Sequence, residues 1–379
     1  MQRDMHYYGT YAMAAAAGIP KNDANTIAYA AQFTDDVCLK DNVPNKDGGL
    51  MFGISTAHNP VMAAANLLKD YATNLEGQRK IWIPFHFLPG GKGNTFDEKV
   101  LCGKDSVIAN EMFMNHIKVA CSQNDKDDKK AYWLELLGIC AHVYMDTYSH
   151  YGFSGISSKN NNVHQPTIEI TNKVLSGDIL NSFKKSPKDT WIKILSNDIW
   201  DRFKKIWVII QGQAAEDPQK GALGHAGVDV YPDMPYLQWK FKFDNPRPGE
   251  DGTESVRDNQ DSFLNACEKL HGYFARVTQK CYDVQNVKQF NGIKDAVKKL
   301  LSFAGTVEQR EKEWLNSGLC EGVQPYNVET WNSQRDIFRN AERSEGAIAT
   351  NIYRFHQAAA YHRYYVLKDL LPSHGIAAY

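Results

Sequence analysis

Residues 132–151 read YWLELLGICAHVYMDTYSHY, a helical pattern in which His142, Asp146 and His150 recur every four residues. Side chains at this spacing share one face of an α-helix, with neighbouring Cβ atoms roughly 5–6 Å apart. Apolar and aromatic residues flank the row, so we predict that it is buried. Because a buried carboxylate without partners is costly, metal ions would stabilise the row; the alternative is that the three are hydrogen-bonded core residues or surface residues. The sequence therefore predicts one continuous helix that presents a set of metal ligands.

The bulk composition is that of a globular protein. The chain has 379 residues, an apolar fraction of 43% and nearly balanced charge, with 43 basic and 44 acidic side chains. The apolar fraction suffices for a large core, whereas a net charge of −1 provides no field that attracts a polyanion. No apolar run approaches the ~20 residues of a membrane span. Nucleic acid is therefore the less favoured partner, and no transmembrane span is expected.

The N-terminal residues and the cysteines bear on the compartment. Residues 1–18 read MQRDMHYYGTYAMAAAAG, in which Asp4, His6 and the tyrosines interrupt the apolar core that a signal peptide needs. The seven cysteines are odd in number and form no C-x-x-C pair, so neither a disulfide framework nor a thiolate zinc site is indicated. These features predict a cytoplasmic protein, with export by a signal-independent route as the alternative.

Most of the chain has helical periodicity, and few strands are expected. Helix starts are predicted at Asn22 or Asp23, at Asn59 and at Ser186, and a last helix is predicted over residues 344–371. The fold class that follows is all-α with a few short extended segments.

One long domain is predicted over residues 1–379. Its parts are a metal-site core at about residues 4–239, a loop at 244–261 rich in proline, glycine and charge, and a helical C-terminal part at 262–379. Residues 81–89, IWIPFHFLP, are rich in β-branched, aromatic and proline residues, so an extended segment is predicted there.

Several residues outside the central helix have the chemistry of metal ligands. The candidates are Asp4, His6, Asp35, Asp36, His58, His86, His225 and Asp229. His225 and Asp229 repeat the H-x-x-x-D spacing among glycines and prolines. Asp35 and Asp36 end a predicted helix, where acidic side chains oppose the helix dipole and a nearby cation would stabilise them. His86 lies between two phenylalanines, and such a histidine is more often a hydrogen-bonded core residue than a ligand.

The order of these motifs resembles that of the zinc-dependent phospholipase C and P1-type nuclease superfamily. The opening HYYGTYAMAAAAG, the PFHFLPGG turn and the HVYMDTYSHYGFSG block are similar to an uncharacterised bacterial branch of it. The resemblance spans roughly residues 4–239. It implies a mostly helical single domain with two or three Zn²⁺ ions in a cleft, held by histidines and carboxylates.

The resemblance also implies particular ligands, with Asp146 as the bridge between ions. The implied sets are Asp36, His86, His142 and Asp146 for one ion, His150, His225 and Asp229 for a second, and His6 with Asp146 for a third. Better-known members complete the third site with a free N-terminal amine and carbonyl, and Asp4 is the candidate substitute here. The choices of Asp36 over Asp35 and of His86 over His58 stay open.

The activity that the resemblance implies is hydrolysis of a phosphoric diester by a metal-bound hydroxide. Zinc lowers the pKa of bound water to about 7, Asp146 and Asp36 would hold the ions, and Asp35 or a water held by Asp36 would act as general base. A phospholipase C is the leading expectation, releasing diacylglycerol and a phosphorylated head group during transient contact with a membrane surface. The alternatives are a P1-type nuclease or 3′-nucleotidase and a non-catalytic helical protein that binds a metal or a partner.

Overall fold

The computed structural model describes residues 1–38, 42–57, 75–124, 131–172 and 221–378. The helix starts expected at Asn59 and Ser186, and the alternative ligand His58, lie outside these residues.

The described part of the chain is mostly helical, as the sequence predicts. The longer helices are α1 (Thr10–Ala16), α2 (Lys21–Asp36), α3 (Val107–Asn124), α4 (Trp133–His150), α5 (Asn259–Cys281), α6 (Lys294–Ser302), α7 (Val307–Asn316), α8 (Gln334–Asn340) and α9 (Asn351–Tyr364). Shorter helical turns are Asp4–Gly9, Leu75–Gly77, Gln78–Trp82, Ile83–Phe85, Phe96–Lys99, Lys159–Asn161, Gln165–Thr167, Ala226–Val228, Tyr231–Asp233, Phe290–Gly292, Glu329–Asn332, Ser344–Ala347, Tyr365–Leu370 and Leu371–Ser373. None of the described helices combines the length and apolarity that crossing a bilayer requires.

The strands are short and antiparallel. They are β1 (Val43–Pro44) paired with β2 (Leu50–Met51), β3 (Ser157–Ser158) paired with β5 (Ala222–Leu223), and a sheet in the order β4 (Glu169–Ile170), β6 (Gln238–Lys242), β7 (Glu254–Asp258). The prediction of a loop over residues 244–261 was wrong for its second half, which holds β7 and the start of α5. Its proline and glycine residues suggested a loop, whereas pairing with β6 decided the outcome.

The central helix α4 is the middle of the core. It packs against α2, α3, α5 and α9, and every residue from Glu135 to His150 is buried. A helix surrounded by other helices is apolar on most of its surface. Leu136, Ile139 and Val143 supply part of that apolar surface, and the polar row occupies the remaining face. The predicted continuous helix through His142, Asp146 and His150 is confirmed. The polar row therefore lies inside the protein, where each of its members needs a partner.

Residues 81–89 are not extended throughout, contrary to the prediction. The turn Gln78–Trp82 has π-helical hydrogen bonding and runs into the helical turn Ile83–Phe85, after which His86 leaves the helix. Proline is tolerated in a first helical turn because its missing N–H needs no partner there. Ile81, Ile83 and Phe85 are buried in the core, and this packing outweighs their local preference for strand.

Cys121 at the C-terminal end of α3 pairs with Cys281 at the C-terminal end of α5 as a disulfide, with their Cα atoms 5.3 Å apart. The cysteine pattern did not indicate this bond. The two residues are separated by 160 positions, so no local spacing marks them as a pair. Only the packing of α5 against α3 brings them together.

Gly138 allows α2 and α4 to approach closely. A Cβ atom at this position would lie 2.3 Å from the Ile27 carbonyl oxygen and 2.5 Å from the Ala30 Cβ. We expect Gly138→Ala to lower the free energy of unfolding by roughly 1–3 kcal/mol, although alanine is the better helix former. Urea unfolding measures this. At Gly272 on α5, no atom of the described residues lies within 4 Å of an added Cβ. Gly272→Ala should therefore raise the free energy of unfolding by about 0.5–1 kcal/mol. Equal effects of the two changes would contradict the close-approach explanation.

Glu135 on α4 makes the stability of the fold depend on pH. Burial raises the pKa of its carboxyl from 4.5 to about 7, although the charge of Arg354 acts in the opposite direction. Because the folded protein holds this proton more tightly, the free energy of unfolding falls as pH rises from about 4.5 through about 7, by roughly 3 kcal/mol. We expect Glu135→Gln to remove this part of the fall, measured by urea unfolding from pH 4 to 9 with chelator present. Glu345→Gln at the surface is the control, and a profile unchanged in Glu135→Gln would refute the assignment.

Candidate metal centre

The C-terminal half of α4 forms the floor of a polar cluster. The turn Asp4–Gly9, the end of α2, the turn before His86 and residues 225–233 supply its walls. The cluster contains His6, Asp35, His86, His142, Asp146, His150, His225 and Asp233. Part of it faces a cavity of about 160 Å³, which Ala57, Trp82 and Phe87 line on the apolar side.

Asp146 lies at the centre of the cluster and is 1% exposed. Its Oδ1 is 3.1 Å from His6 Nε2, and its Oδ2 is 3.2 Å from His142 Nε2 and 3.5 Å from His86 Nδ1. Burial opposes ionisation of Asp146. The positive charges around it, among which His150 has the largest effect, nevertheless hold the pKa of the carboxyl well below its usual range. The central group is therefore a carboxylate with both oxygens directed at imidazoles.

The hydrogen bonds of three histidines fix which ring nitrogen carries the hydrogen. His86 Nε2 donates to the Thr56 carbonyl at 2.8 Å, His150 Nδ1 to the His86 carbonyl at 2.8 Å, and His225 Nδ1 to the Asp229 carbonyl at 2.6 Å. A carbonyl only accepts, so in each neutral ring the opposite nitrogen presents a lone pair. Metal-binding histidines are usually held in this way.

Those lone pairs face carboxylate oxygens. His150 Nε2 is 3.1 Å from Asp233 Oδ1, and His225 Nε2 is 3.7 Å from Asp233 Oδ2. Burial lowers the pKa of His225 to about 4, so its ring is neutral at pH 7. In a neutral ring this lone pair repels the carboxylate unless a cation lies between them, whereas a ring that carries hydrogen on both nitrogens donates to the carboxylate, as His150 Nε2 can to Asp233. The arrangement therefore matches what a divalent ion requires.

His6 and His142 extend the same pattern. Their rings stack with centroids 3.9 Å apart, and burial lowers the pKa of each to about 4. Within the described residues neither ring nitrogen of His6 has a hydrogen-bond partner, although Nε2 lies close to Asp146, and His142 Nδ1 has none either. Buried polar atoms rarely lack partners in folded proteins. A bound ion would satisfy the His6 nitrogen that faces Asp146.

The ligand atoms lie close to the separations that a bound ion needs. Three groups are present in the described residues, namely His6 with Asp35 and His142, His86 with His142 and Asp146, and His150 with His225 and Asp233. Within each group the atoms lie within 4.8 Å of one another. Two donors at ~2.1 Å from a tetrahedral ion are roughly 3.4 Å apart, so small adjustments would bring each group into range. No described cysteine belongs to these groups.

Most of the predicted ligands meet in the cluster. The structure brings together His6, His86, His142, Asp146, His150 and His225. Three carboxylates of the predicted set, those of Asp4, Asp36 and Asp229, lie elsewhere.

Asp35, and not Asp36, faces the cluster. Its carboxylate lies 3.7 Å from His86 Nδ1 and 3.8 Å from His142 Nε2. Asp36 instead accepts a hydrogen bond from the Tyr326 hydroxyl at 2.5 Å. Successive residues of a helix point about 100° apart, so only one of the pair can face the cluster. The assignment of Asp36 as ligand and catalytic carboxylate is therefore corrected to Asp35.

Asp233 takes the place predicted for Asp229. The intervening residues form the turns Ala226–Val228 and Tyr231–Asp233, so a spacing of four residues does not place side chains on one face. Asp229 adopts a left-handed conformation with φ of 53° and contributes only its backbone carbonyl, to His225. Asp233 also accepts from Ser149 Oγ at 2.5 Å. No helical pattern in the sequence marks Asp233, and its place just after Pro232 was the one signal of a turn.

Asp4 does not take part in the third group. Its carboxylate forms a buried ion pair with Arg310, with Nε 2.7 Å from Oδ2.

The N-terminal amine of Met1 lies 2.6 Å from Asp146 Oδ1 and 3.2 Å from Asp233 Oδ1. Burial alone would lower the pKa of this amine, but the carboxylates raise it to about 11. The amine places a positive charge between these two carboxylates, as a bound metal ion would.

The fold and the cluster define a class of mostly helical protein with a carboxylate-centred histidine and aspartate site suited to divalent ions. The chain belongs to DUF6765, a family of unknown function whose model matches residues 1–370. The matched region includes α5 to α9 as well as the cluster. Comparison with curated proteins and with solved structures gave no match.

Proposed function

We propose that this protein is a zinc-dependent phosphoric diester hydrolase of the phospholipase C and P1 nuclease type. The observation that carries the proposal is the convergence of histidine ring nitrogens on Asp146 and Asp233 beside a cavity. Structural zinc sites favour closed, cysteine-rich shells, whereas carboxylate-rich sites that border a cavity leave positions for water and substrate. The arrangement therefore favours catalysis over a purely structural or partner-binding role.

Each residue has a defined part in this reaction. Bound zinc would supply hydroxide at neutral pH and polarise the phosphoryl oxygens. His86, His142 and Asp146 would hold one ion, and His150, His225 and Asp233 another. Asp35, with His6 and His142, would contribute to a further ion, and because it is 32% exposed and lines the cavity it could also accept a proton from the attacking water.

The lining of the cavity favours a lipid substrate over a nucleic acid. Trp82 and Phe87 offer aromatic surface for the part of the substrate that does not react. Among the described residues of this lining there is no lysine or arginine, whereas a nucleic-acid strand needs a cationic path. Phospholipase C activity, with transient contact between the cavity mouth and a membrane surface, is thus the leading proposal.

Metal analysis and a substrate panel test this function. We expect zinc in the purified protein and faster release of diacylglycerol from phosphatidylcholine than cleavage of single-stranded DNA or 3′-AMP. Cleavage of DNA or 3′-AMP alone would point to the nuclease branch. Bound zinc without any hydrolysis would favour the non-catalytic alternative, and protein that binds no divalent ion would overturn the proposal.

Two matched pairs of variants test the corrected ligands. We expect Asp35→Asn and Asp233→Asn each to weaken zinc binding by roughly 10–100-fold or more, because each removes a carboxylate that faces histidine nitrogens. Asp36→Asn and Asp229→Asn should leave zinc affinity within about twofold. Asparagine has the same size and branching as aspartate, so that control leaves the packing at residue 229 unchanged. Competition with a chromophoric chelator measures the affinities, and the reverse order within either pair would refute the assignment.

A further inference from the structure

Arg310 on α7 is buried in contact with the N-terminal residues. Its side chain is 2% exposed, with Nε 2.7 Å from Asp4 Oδ2 and Nη2 3.1 Å from Asp4 Oδ1. Nη1 donates to the Gly305 carbonyl at 2.6 Å, and Nη2 also donates to Gln2 Oε1. A two-pronged pair of this kind fixes orientation as well as distance.

The residue that Arg310 holds lies next to a candidate ligand. Asp4 and His6 are two positions apart in the same buried turn, Asp4–Gly9. Asp4 is directed at Arg310, and His6 at Asp146. The guanidinium also lies 5.6 Å from the centroid of the Tyr236 ring, three residues beyond Asp233. Arg310 therefore contacts segments on two sides of the metal centre.

Other contacts join the same two regions but are weaker. Glu311 pairs with Arg3 at the partly exposed surface, and the hydroxyls of Tyr7 and Tyr11 donate to the carbonyls of Gln324 and Glu321. These are single hydrogen bonds or solvent-accessible charges, which contribute less than a buried charged pair. Among the contacts of the described residues, Arg310 thus makes the strongest polar link between the C-terminal part and the turn that carries His6.

We propose that Arg310 is a positioning residue of the metal centre. By holding Asp4 it fixes the Asp4–Gly9 turn, which keeps the His6 ring stacked on His142 and directed at Asp146. The C-terminal part thereby controls the binding of the ion that depends on His6. This inference rests on the proposed metal centre and assigns to Arg310 no contact with ion or substrate.

Zinc titration of four variants tests this role. His6→Ala identifies the ion that depends on His6, and we expect Arg310→Met to weaken that ion by roughly 10–100-fold while the other ions keep their affinity. The double variant His6→Ala with Arg310→Met should bind zinc like His6→Ala alone. A purely structural role would weaken all ions and add to the effect of His6→Ala. Glu311→Gln, one residue along α7, is the matched control and should bind zinc like the unaltered protein.

Arg310→Lys covers the case in which Arg310→Met fails to fold. Lysine keeps the charge but lacks the paired N–H groups, so a loss of about tenfold for the same ion is expected. Hydrogen exchange of residues 4–9 in metal-free protein should be faster in either Arg310 variant. Two outcomes would overturn this inference but not the proposed function. In one, the protein binds several zinc ions and His6→Ala loses none of them; in the other, the Arg310 variants bind zinc with unchanged affinities. Absence of all zinc binding would overturn the proposed function as well.

Discussion

Asp146→Asn should abolish metal-dependent hydrolysis and remove zinc from more than one site. Both carboxylate oxygens are directed at imidazoles of the cluster, Oδ1 at His6 and Oδ2 at His142 and His86. Asparagine keeps the size of the side chain but replaces one oxygen with an N–H₂ group, which repels a cation. Metal ions contribute several kcal/mol to stabilising a phosphoryl transition state, so a loss of roughly 10³-fold or more in kcat is expected.

The measurements are kcat on the best substrate and the zinc content per chain. Asp36→Asn is the matched control. It makes the same chemical change one residue beyond Asp35, in a carboxylate that accepts a hydrogen bond from the Tyr326 hydroxyl instead of facing the imidazoles. Circular dichroism of the two variants establishes that both are folded. Full zinc content and undiminished kcat in Asp146→Asn would contradict the central position of this carboxylate.

Removal of bound metal should lower the thermal stability of the protein markedly. In the metal-free protein the ring nitrogens of His150 and His225 face the Asp233 carboxylate inside the core with no ion between them. Ions that bind only the folded state stabilise it by about 4 kcal/mol per site at a thousandfold excess over Kd. For a chain of this size that stabilisation corresponds to a fall in Tm of roughly 5 °C for each ion removed, or about 10 °C when two are lost on chelation.

Differential scanning calorimetry with and without chelator measures this fall, and restored zinc should reverse it. Asp146→Asn should show a smaller difference between the two conditions, because it holds fewer ions. A Tm that does not respond to chelation in the unaltered protein would show that the cluster is stabilised by hydrogen bonds alone, the alternative that the sequence left open.

The predictions that proved correct concern residues whose relation is local. His142, Asp146 and His150 share a face because the geometry of one helix places every fourth residue there, whatever surrounds it. Their burial followed from the apolar residues between them. Candidate histidines elsewhere could be named by chemical type, and His6, His86 and His225 do meet the helix.

The errors concern relations that depend on distant parts of the chain. Asp35 and Asp36 are equivalent by composition, and only the orientation of α2 against α4 selects Asp35. Asp4 was assigned to the cluster because it lies near His6, but Arg310, more than three hundred residues away, holds its carboxylate. Strand β7 was missed for another reason: its partner β6 is close in sequence, but the proline- and glycine-rich residues between the two strands hid their pairing.

By itself, the amino-acid sequence determined the helical class, the buried polar row and the kinds of ligand available, because helix periodicity and side-chain chemistry act over a few residues. The tertiary structure alone decided which carboxylates face the histidines, which imidazole nitrogen carries the hydrogen, and that a C-terminal arginine holds the N-terminal turn. These outcomes depend on contacts between residues far apart in the chain, such as His86 with Thr56 and Asp4 with Arg310, which form only when the helices pack.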